Sequence, residues 1–451
     1  MKILIKNAKA IITMNDNNDV LYNQNMLIED NKIAYIGTKT FDADKVIDAS
    51  SMYVYPGLIN THHHLYQTFT RNLPEVQNME LFPWLKYLYE IWKHLDDEVI
   101  YLSSMVGMGE LVKYGCTTVF DHHYVFRSDT ECDFIDVQMN AAKDLGVRFH
   151  ASRGSMSLGV DDGGLPPMSV VQTLDEILKD SERLIKKFHD TSKYSMNQIV
   201  LAPCSPFSVS DELMIESAKL ARKYGVRLHT HLGETLDEDN YCMETASARP
   251  LAYMERLGWT GEDVWFAHGI HFDDEELKLL AKTKTGVCHC PVSNQKLSSG
   301  IARISEMVEM GIPVGLGVDG SASNDGSNLL AELRAGYLLQ RLRYSNKSVT
   351  PKGMLEIATR GGAKILGRDD IGHLAVDMAA DMFMLDINRL EFVGTSKDPV
   401  ALLTTVGVTH PVTYTIINGK VIVENGEIVT INEQEIVKAA NIKFEEFINK
   451  D

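Results

Sequence analysis

The stretch Tyr55–Arg71, YPGLINTHHHLYQTFTR, decides how the chain is read. Gly57–Asn60 has the character of the end of a short buried strand, and three histidines follow where that strand emerges. Alternate side chains of a strand share a face, so His62 and His64 point one way and His63 the other. Two imidazoles on one face at an open strand end can hold one divalent metal ion. A polar strand end with solvated histidines reads equally well from this stretch alone. The decision rests on whether later strand ends supply further ligands.

Working outward, the middle of the chain repeats a strand and then a helix. The strands are expected at Gly57–Thr61, Thr117–Asp121, Val147–Ala151, Gln198–Ala202, Arg227–Thr230, Val264–Ala267, Gly286–His289 and Val314–Val318. Helical stretches such as Leu174–Lys187, Asp211–Lys223, Asp274–Lys282 and Gly326–Leu342 stand after them. Eight such units predict an α/β chain folded as a (β/α)8 barrel of the TIM type. A doubly wound open sheet is the alternative, weakened because no GxGxxG follows the first strand. Both chain ends read as β. Lys2–Ile5, Asn25–Glu29, Lys32–Ile36 and Lys45–Asp48 are short strands near the start; Asp381–Leu385, Val412–Ile417 and Lys420–Glu424 lie near the end, with Asn418-Gly419 as a hairpin signal and a last helix over Glu433–Asn449. Each end alone is too short for a core. The two are therefore expected to form one β-sandwich-like domain from residues 1–56 and 371–451, around a barrel over 57–370.

Bulk properties narrow the partners. The 451 residues are 44% hydrophobic and carry a formal net charge of −18. That charge argues against nucleic acid and anionic membranes, and no apolar run approaches membrane-spanning length. The cysteines Cys116, Cys132, Cys204, Cys242, Cys288 and Cys290 are scattered, and without a secretory leader they suit a reducing cytoplasm.

In a barrel of this type the C-terminal strand ends carry the chemistry. His62 and His64 follow strand one, His122 and His123 strand two, Arg153 strand three and Cys204 strand four. Strand five gives His231 and Glu234, strand six His268, strand seven His289 and Cys290, strand eight Asp319. His62, His64, His231 and Asp319 form a ligand set suited to zinc or another borderline divalent ion, with a position left for water. Such an ion brings the pKa of bound water to about 7. Glu234, three residues after His231, is assigned to proton transfer between the hydroxide and a ring nitrogen. His268 orients the hydroxide or stabilises charge during attack, and Asp319 takes the proton of the attacking water. His229 shares the face of His231 and reads as a satisfied core histidine rather than a partner of the ligands. Cys288-His289-Cys290 lacks the second cysteine pair of a structural zinc site, and Ser293-Asn294 reads as shaping the loop behind it. The aromatic run Phe82, Trp84, Tyr87, Tyr89 and Trp92 is helix packing, from which Trp84 is placed as a lid over a flat ligand.

PGLINTHHH, HTHLGE, FAHGIH and LGVDGSASND together resemble the signature of the amidohydrolase superfamily over nearly the whole chain. The resemblance implies one divalent ion per chain, zinc or iron, because Pro203-Cys204-Ser205 stands where a bridging lysine would, and it implies a homodimer or larger. Within the superfamily the chain is similar to aminohydrolases of purines, adenosyl compounds and triazines. NTHHHLYQTFTR, HASRGSMSLGVDDGGLPP, APCSPFSVSDEL and SNQKLSSGIA resemble the 8-oxoguanine deaminases. Guanine deaminases place a glutamine at the position of Gln67 to read the purine edge, and Arg153 matches a family arginine near substrate. A glutamine amide complements the paired acceptor and donor of an oxopurine, and an arginine fork binds carbonyl oxygens. Gln67 as a helix cap and Arg153 as the partner of a nearby carboxylate are the plainer readings. Cys204 stands where adenosylhomocysteine deaminases carry a histidine, which argues against a ribose-bearing substrate. His123 and Trp84 are further candidates at the substrate wall. The resemblance thus implies hydrolytic deamination of an amino-oxopurine, 8-oxoguanine to urate first, with guanine or isocytosine also accommodated. The alternatives are a triazine aminohydrolase such as hydroxydechloroatrazine ethylaminohydrolase, whose similarity also covers the three histidines, a cyclic amide hydrolase, or a non-catalytic scaffold.

Overall fold

The computed structural model describes residues 1–130 and 133–450, so Cys132 lies outside the described residues. Eight parallel strands close a barrel: Leu58–Asn60, Cys116–Asp121, Arg148–Ser155, Asn197–Pro203, Arg227–Leu232, Val264–His268, Gly286–His289 and Val314–Leu316. The eighth closes on the first through Leu316 and Asn60, so the open-sheet alternative does not apply. These strands are short and buried almost throughout, as parallel strands covered on both faces must be. The helices between them carry their own start and stop signals. Leu174–Phe188 begins with a capping box of Thr173 and Glu176, and Asp274–Thr283 with one of Asp273 and Glu276. Asp211–Tyr224 is capped by the Ser210 side chain and ends at Gly225, which adopts φ 69°.

Two further sheets pack face to face. The first, in order Lys32–Gly37, Gln24–Glu29, Lys2–Ala8 and Lys45–Asp48, comes from the N-terminal segment alone. The second joins both ends of the chain, because Met52–Pro56 pairs antiparallel with Met382–Asp386 from Met52 against Asp386 to Pro56 against Met382. Ile3, Ile5, Met26, Ile28, Val54, Met382, Met384 and Ile416 form the core between them. The strand Met52–Pro56 runs directly into the first barrel strand, which carries the histidine cluster at its far end. The last helix, Glu433–Ile448, leaves the sandwich and lies on the barrel. Phe444 and Phe447 meet Phe69 with ring centroids 6.3 and 6.4 Å apart, and Lys113 bonds Glu433 at 2.6 Å. No helix among the described residues is long and apolar enough to cross a membrane. The five described cysteines are buried free thiols.

Candidate active site and metal centre

The C-terminal strand ends bring His62, His64, His231 and Asp319 together, far apart as they are in the chain. His64 Nε2 lies 3.1 Å from His231 Nε2 and 3.2 Å from Asp319 Oδ1, and His62 Nε2 lies 3.3 Å from the same oxygen. His63 points away, as the alternation requires, and meets Ser327 Oγ at 2.9 Å.

The other ring nitrogens reveal which atoms carry protons. His64 Nδ1–H donates to the His122 carbonyl at 2.7 Å, and His231 Nδ1–H to the Cys204 carbonyl at 2.6 Å. For His62 the chain is longer. His229 Nδ1–H donates to the Trp265 carbonyl at 3.0 Å, so His229 Nε2 is an acceptor and receives His62 Nδ1–H at 2.9 Å. A carbonyl only accepts, so each tautomer is fixed by the backbone. Three Nε2 lone pairs then face one another with no hydrogen between them. Burial pushes His62 down to about 3 and His231 well below its ordinary value, so protonation does not relieve the contact. A cation between the lone pairs does. A tetrahedral site with bonds of about 2.0–2.1 Å has edges of about 3.3–3.4 Å, close to the separations seen. His122 stands beside this group, its Nε2–H donated to the Ala202 carbonyl at 2.8 Å and its Nδ1 without a hydrogen-bond partner among the described residues. Two overlapping clusters, His62/His64/His122/His231 and His62/His268/Asp319, are thus compatible with a divalent metal cofactor.

Glu234 follows Gly233, which turns the chain at φ 68°. Its carboxyl is buried, one oxygen has no hydrogen-bond partner among the described residues, and the other is 3.4 Å from His268 Nε2. Burial raises its pKa, which favours a form that gives up a proton. His268 Nε2 is also 3.9 Å from Asp319 Oδ2. His268 and Asp319 both sit in the left-handed region, at φ 74° and 64°. Such a conformation costs a non-glycine residue about 1–3 kcal/mol and concentrates at functional sites.

Three buried carboxyls hold the turns behind these groups. Asp121 accepts the Leu65 amide next to His64 at 2.6 Å. Glu238 accepts the amides of Gly233 and Glu234 at 2.8 and 3.3 Å. Glu332 accepts the Val292 amide at 3.1 Å. Burial pushes the three up to about 6, 8 and 8 respectively.

A small pocket lies against the cluster. His64, His231, Glu234, His268 and Asp319 form its polar floor, and Leu81, Trp84, Leu85, Tyr124, Phe207 and Leu297 its apolar wall. Gln67 and Cys204 line it, and Gln67 Oε1 has no hydrogen-bond partner among the described residues. Trp84 also lines it. Arg153 and His123 do not. Arg153 bonds Asp180, the kind of carboxylate partner its plainer reading names, at 2.6 Å and Gln172 at 2.8 Å, and it stacks on Phe126 at 3.8 Å. The side chain is drawn outward because the carboxylate lies on the neighbouring helix Leu174–Phe188. His123 bonds the Val125 carbonyl at 3.0 Å and packs among Tyr66, Phe126 and Phe134, behind the wall. His229, read from sequence as a core histidine, is the partner of His62; its even spacing from His231 was the available signal. Tyr124, Phe207 and Leu297 carried no signal, since an apolar residue after a strand reads as ordinary packing.

The Amidohydrolase family matches residues 53–422. The chain belongs to that family. Among curated proteins, this amidohydrolase is 51% identical over 356 residues to an 8-oxoguanine deaminase of Pseudomonas aeruginosa, covering 79% of each chain. It is 42% identical over 424 residues to a hydroxydechloroatrazine ethylaminohydrolase of Pseudomonas sp. (strain ADP), covering 93% of this chain and 88% of that one. Among solved structures, an atrazine chlorohydrolase from Arthrobacter aurescens TC1 complexed with zinc superposes with a TM-score of 0.95 at 33% identity, over 98% of this chain and 100% of that one. The amidohydrolase is therefore a member of a hydrolase family with a clustered histidine and aspartate site compatible with a divalent metal ion.

Proposed function

We propose that the chain catalyses hydrolytic removal of an exocyclic amine from an amino-oxopurine of the 8-oxoguanine type, releasing ammonia. The observation that carries this reading is the join of two features. Three lone pairs converge on one point, and a buried glutamate stands beside them on the wall of a pocket lined by Trp84, Tyr124 and Phe207. His62, His64, His231 and Asp319 would hold a divalent ion, zinc on the chemistry of the donor set, which when bound would bring the pKa of water into the neutral range.

The rest falls to the side chains. Glu234 gives its proton to the ring nitrogen beside the carbon that bears the amine, so that charge does not build on the ring. Asp319 and His268, 3.9 Å apart across Oδ2 and Nε2, take the proton lost by the attacking water and return it to the departing amine. Gln67 offers one amide donor and one acceptor to the edge of an oxopurine. Trp84 and Phe207 cover its faces, and the Cys204 thiol, pushed up to about 12 by burial, stays protonated as a weak donor.

A second reading is supported by particular observations. The triazine relatives cover more of this chain than the purine deaminase does, and Arg153, expected at an oxopurine carbonyl, is engaged elsewhere. A neutral aminotriazine asks less of the cavity's few polar groups. Both substrates place the leaving amine on a carbon between ring nitrogens, so the roles of Glu234, His268 and Asp319 carry over unchanged. Ammonia and alkylamine release from 8-oxoguanine, guanine, isocytosine and N-ethyl hydroxytriazines tests the choice. The purine reading expects kcat/KM on 8-oxoguanine to exceed that on every triazine, and the reverse order overturns it.

A further inference from the structure

Two adjacent residues on one short helix reach two separate proton-handling groups. In Pro291–Lys296, which follows the seventh barrel strand, the Ser293 hydroxyl donates to Asp319 Oδ2 at 2.6 Å. The next residue, Asn294, accepts His268 Nδ1–H on Oδ1 at 2.9 Å. Both are buried, and neither lines the cavity.

The bonds divide labour within each partner. Asp319 Oδ1 faces the Nε2 atoms of His62 and His64 and accepts the Gly320 amide at 2.6 Å, while Oδ2 is left to Ser293 and the approach of His268. The bond to Ser293 fixes the rotation of the carboxylate, and so decides which oxygen meets the histidines. The bond to Asn294 fixes the ring of His268 and leaves Nε2 aimed at Glu234 and Asp319. Both partners sit on left-handed backbone, where the main chain alone does not secure them.

The start of the helix is held by a further buried carboxyl. Glu332, fully buried, accepts the Val292 amide on Oε2 and the Asn324 side-chain amide on Oε1 at 2.7 Å. Asn324 also donates to the Val318 carbonyl at 2.6 Å, immediately before Asp319. One carboxyl thus ties the turn that carries Ser293 and Asn294 to the turn that carries Asp319.

We propose that Ser293, Asn294 and Glu332 form a single positioning unit that sets Asp319 and His268 against each other, with Ser293 acting through a metal ligand and Asn294 through a group that is not one. This rests on the functional reading above only in naming Asp319 and His268 as the proton-handling pair. Outer partners of this kind contribute about 10–100-fold to metal affinity or activity when removed.

The test uses the zinc-loaded full chain. Ser293→Ala and Asn294→Ala are each expected to lower kcat about 10–100-fold with KM held within about twofold, because neither touches substrate. Ser293→Thr, which keeps the hydroxyl, is expected to restore most of the loss. Release of zinc to a chromophoric chelator separates the two arms. It quickens about tenfold or more in Ser293→Ala and keeps the parent rate in Asn294→Ala. Glu332→Gln, if it folds with a parent-like thermal midpoint, shows both effects together; the serine and asparagine variants decide the matter without it. A rise in KM at unchanged kcat overturns the proposal by making these residues substrate contacts, as does a Ser293→Ala chain that releases zinc at the parent rate. Chelator release needs no substrate. If no heterocycle is turned over, the functional reading fails while the split in release rates still decides this one.

Discussion

The two ends of the barrel both bury charged and polar side chains, and they treat them in opposite ways. At the N-terminal end, Arg148 forms a fork to both oxygens of Asp381 at 3.0 Å and donates to the carbonyls of Tyr194 and Ser195. Asp381 also accepts the Asn418 amide at 2.7 Å. Beside it Arg368 forks onto Asp370 at 2.8 and 2.9 Å, and Asp370 accepts the Tyr194 amide at 2.6 Å. At the C-terminal end, His62 Nε2, His122 Nδ1, Gln67 Oε1 and Glu234 Oε1 are buried with no hydrogen-bond partner among the described residues. A buried polar atom left unpaired costs about 1–3 kcal/mol. The lower network spends its polar atoms on joining the barrel to the sandwich. The upper one holds them back for something the chain does not itself supply.

The sharpest way to break this contrast is to remove what the upper end holds. Dialysis against a strong chelator is expected to abolish turnover, and zinc or ferrous ion to restore it, with metal per chain read by elemental analysis near one. Because ligand binding to the native state alone stabilises it, by about 4 kcal/mol at a thousandfold excess over Kd, the stripped chain also unfolds at lower temperature. Glu234→Gln is expected to keep the metal and lose about 100- to 10,000-fold in kcat, the range for a general acid. Parent-like turnover in that variant removes Glu234 from the reaction.

At the lower end the same kind of removal acts on stability and spares the chemistry. Arg148→Met leaves Asp381 buried without its cation, a loss of about 3–5 kcal/mol for a broken buried pair. Denaturant unfolding measures it, and kcat and KM of the folded fraction stay at parent values. A change in KM larger than the change in stability shows that the two ends are coupled and the contrast is wrong.

Between these extremes lie the clamping carboxyls, buried like the lower network but serving the upper turns. Burial raises Glu238 to about 8 from an ordinary value of 4.5. Between those two values the native chain holds a proton that the unfolded chain has released, so this group makes stability fall as pH rises from 4.5 to about 8 and has no further effect above. Glu238→Gln removes that slope. Thermal midpoints of the two chains are expected to diverge in favour of the variant as pH rises from 5 to 8, and parallel curves contradict the assignment.

How far all this was legible in the sequence follows the same divide. The barrel strands were visible because each is a short apolar run before a capped helix, and the ligands because a histidine or aspartate at a strand end has few structural uses. The inward turn of His62 and His64 and the outward turn of His63 follow from strand alternation alone. The strand Met52–Pro56, by contrast, went unnamed within the N-terminal β segment, because nothing in MYVYPGLIN marks where one strand ends and the next begins. His229 was misread because its partner lies 167 residues away, and spacing along one strand gives a face but not what the face meets. Ser293 and Asn294 were dismissed as loop residues for the same reason. The wall of the cavity was the least legible part, since Tyr124, Phe207 and Leu297 have side chains that any core would accept.

Arg153 brings the two ends of the contrast onto one residue, since its position belongs to the upper face and its bonding to the lower style. It stands on the strand Arg148–Ser155, yet its guanidinium is spent on Asp180, Gln172 and the Gly154 carbonyl and lies flat on Phe126. Those contacts hold the guanidinium towards Asp180 and Phe126. Arg153→Lys keeps one charge against Asp180 but gives up the fork and the stacking, which a point charge on a flexible stem does not reproduce. The expected result is a stability loss of about 1–3 kcal/mol with KM within about twofold of the parent for every substrate on the panel. The comparison that matters is between substrates. If KM rises tenfold for 8-oxoguanine and not for guanine, the arginine reads the additional carbonyl after all, and a bonded network at the mouth of the barrel is no longer a sign that a residue stands outside the reaction.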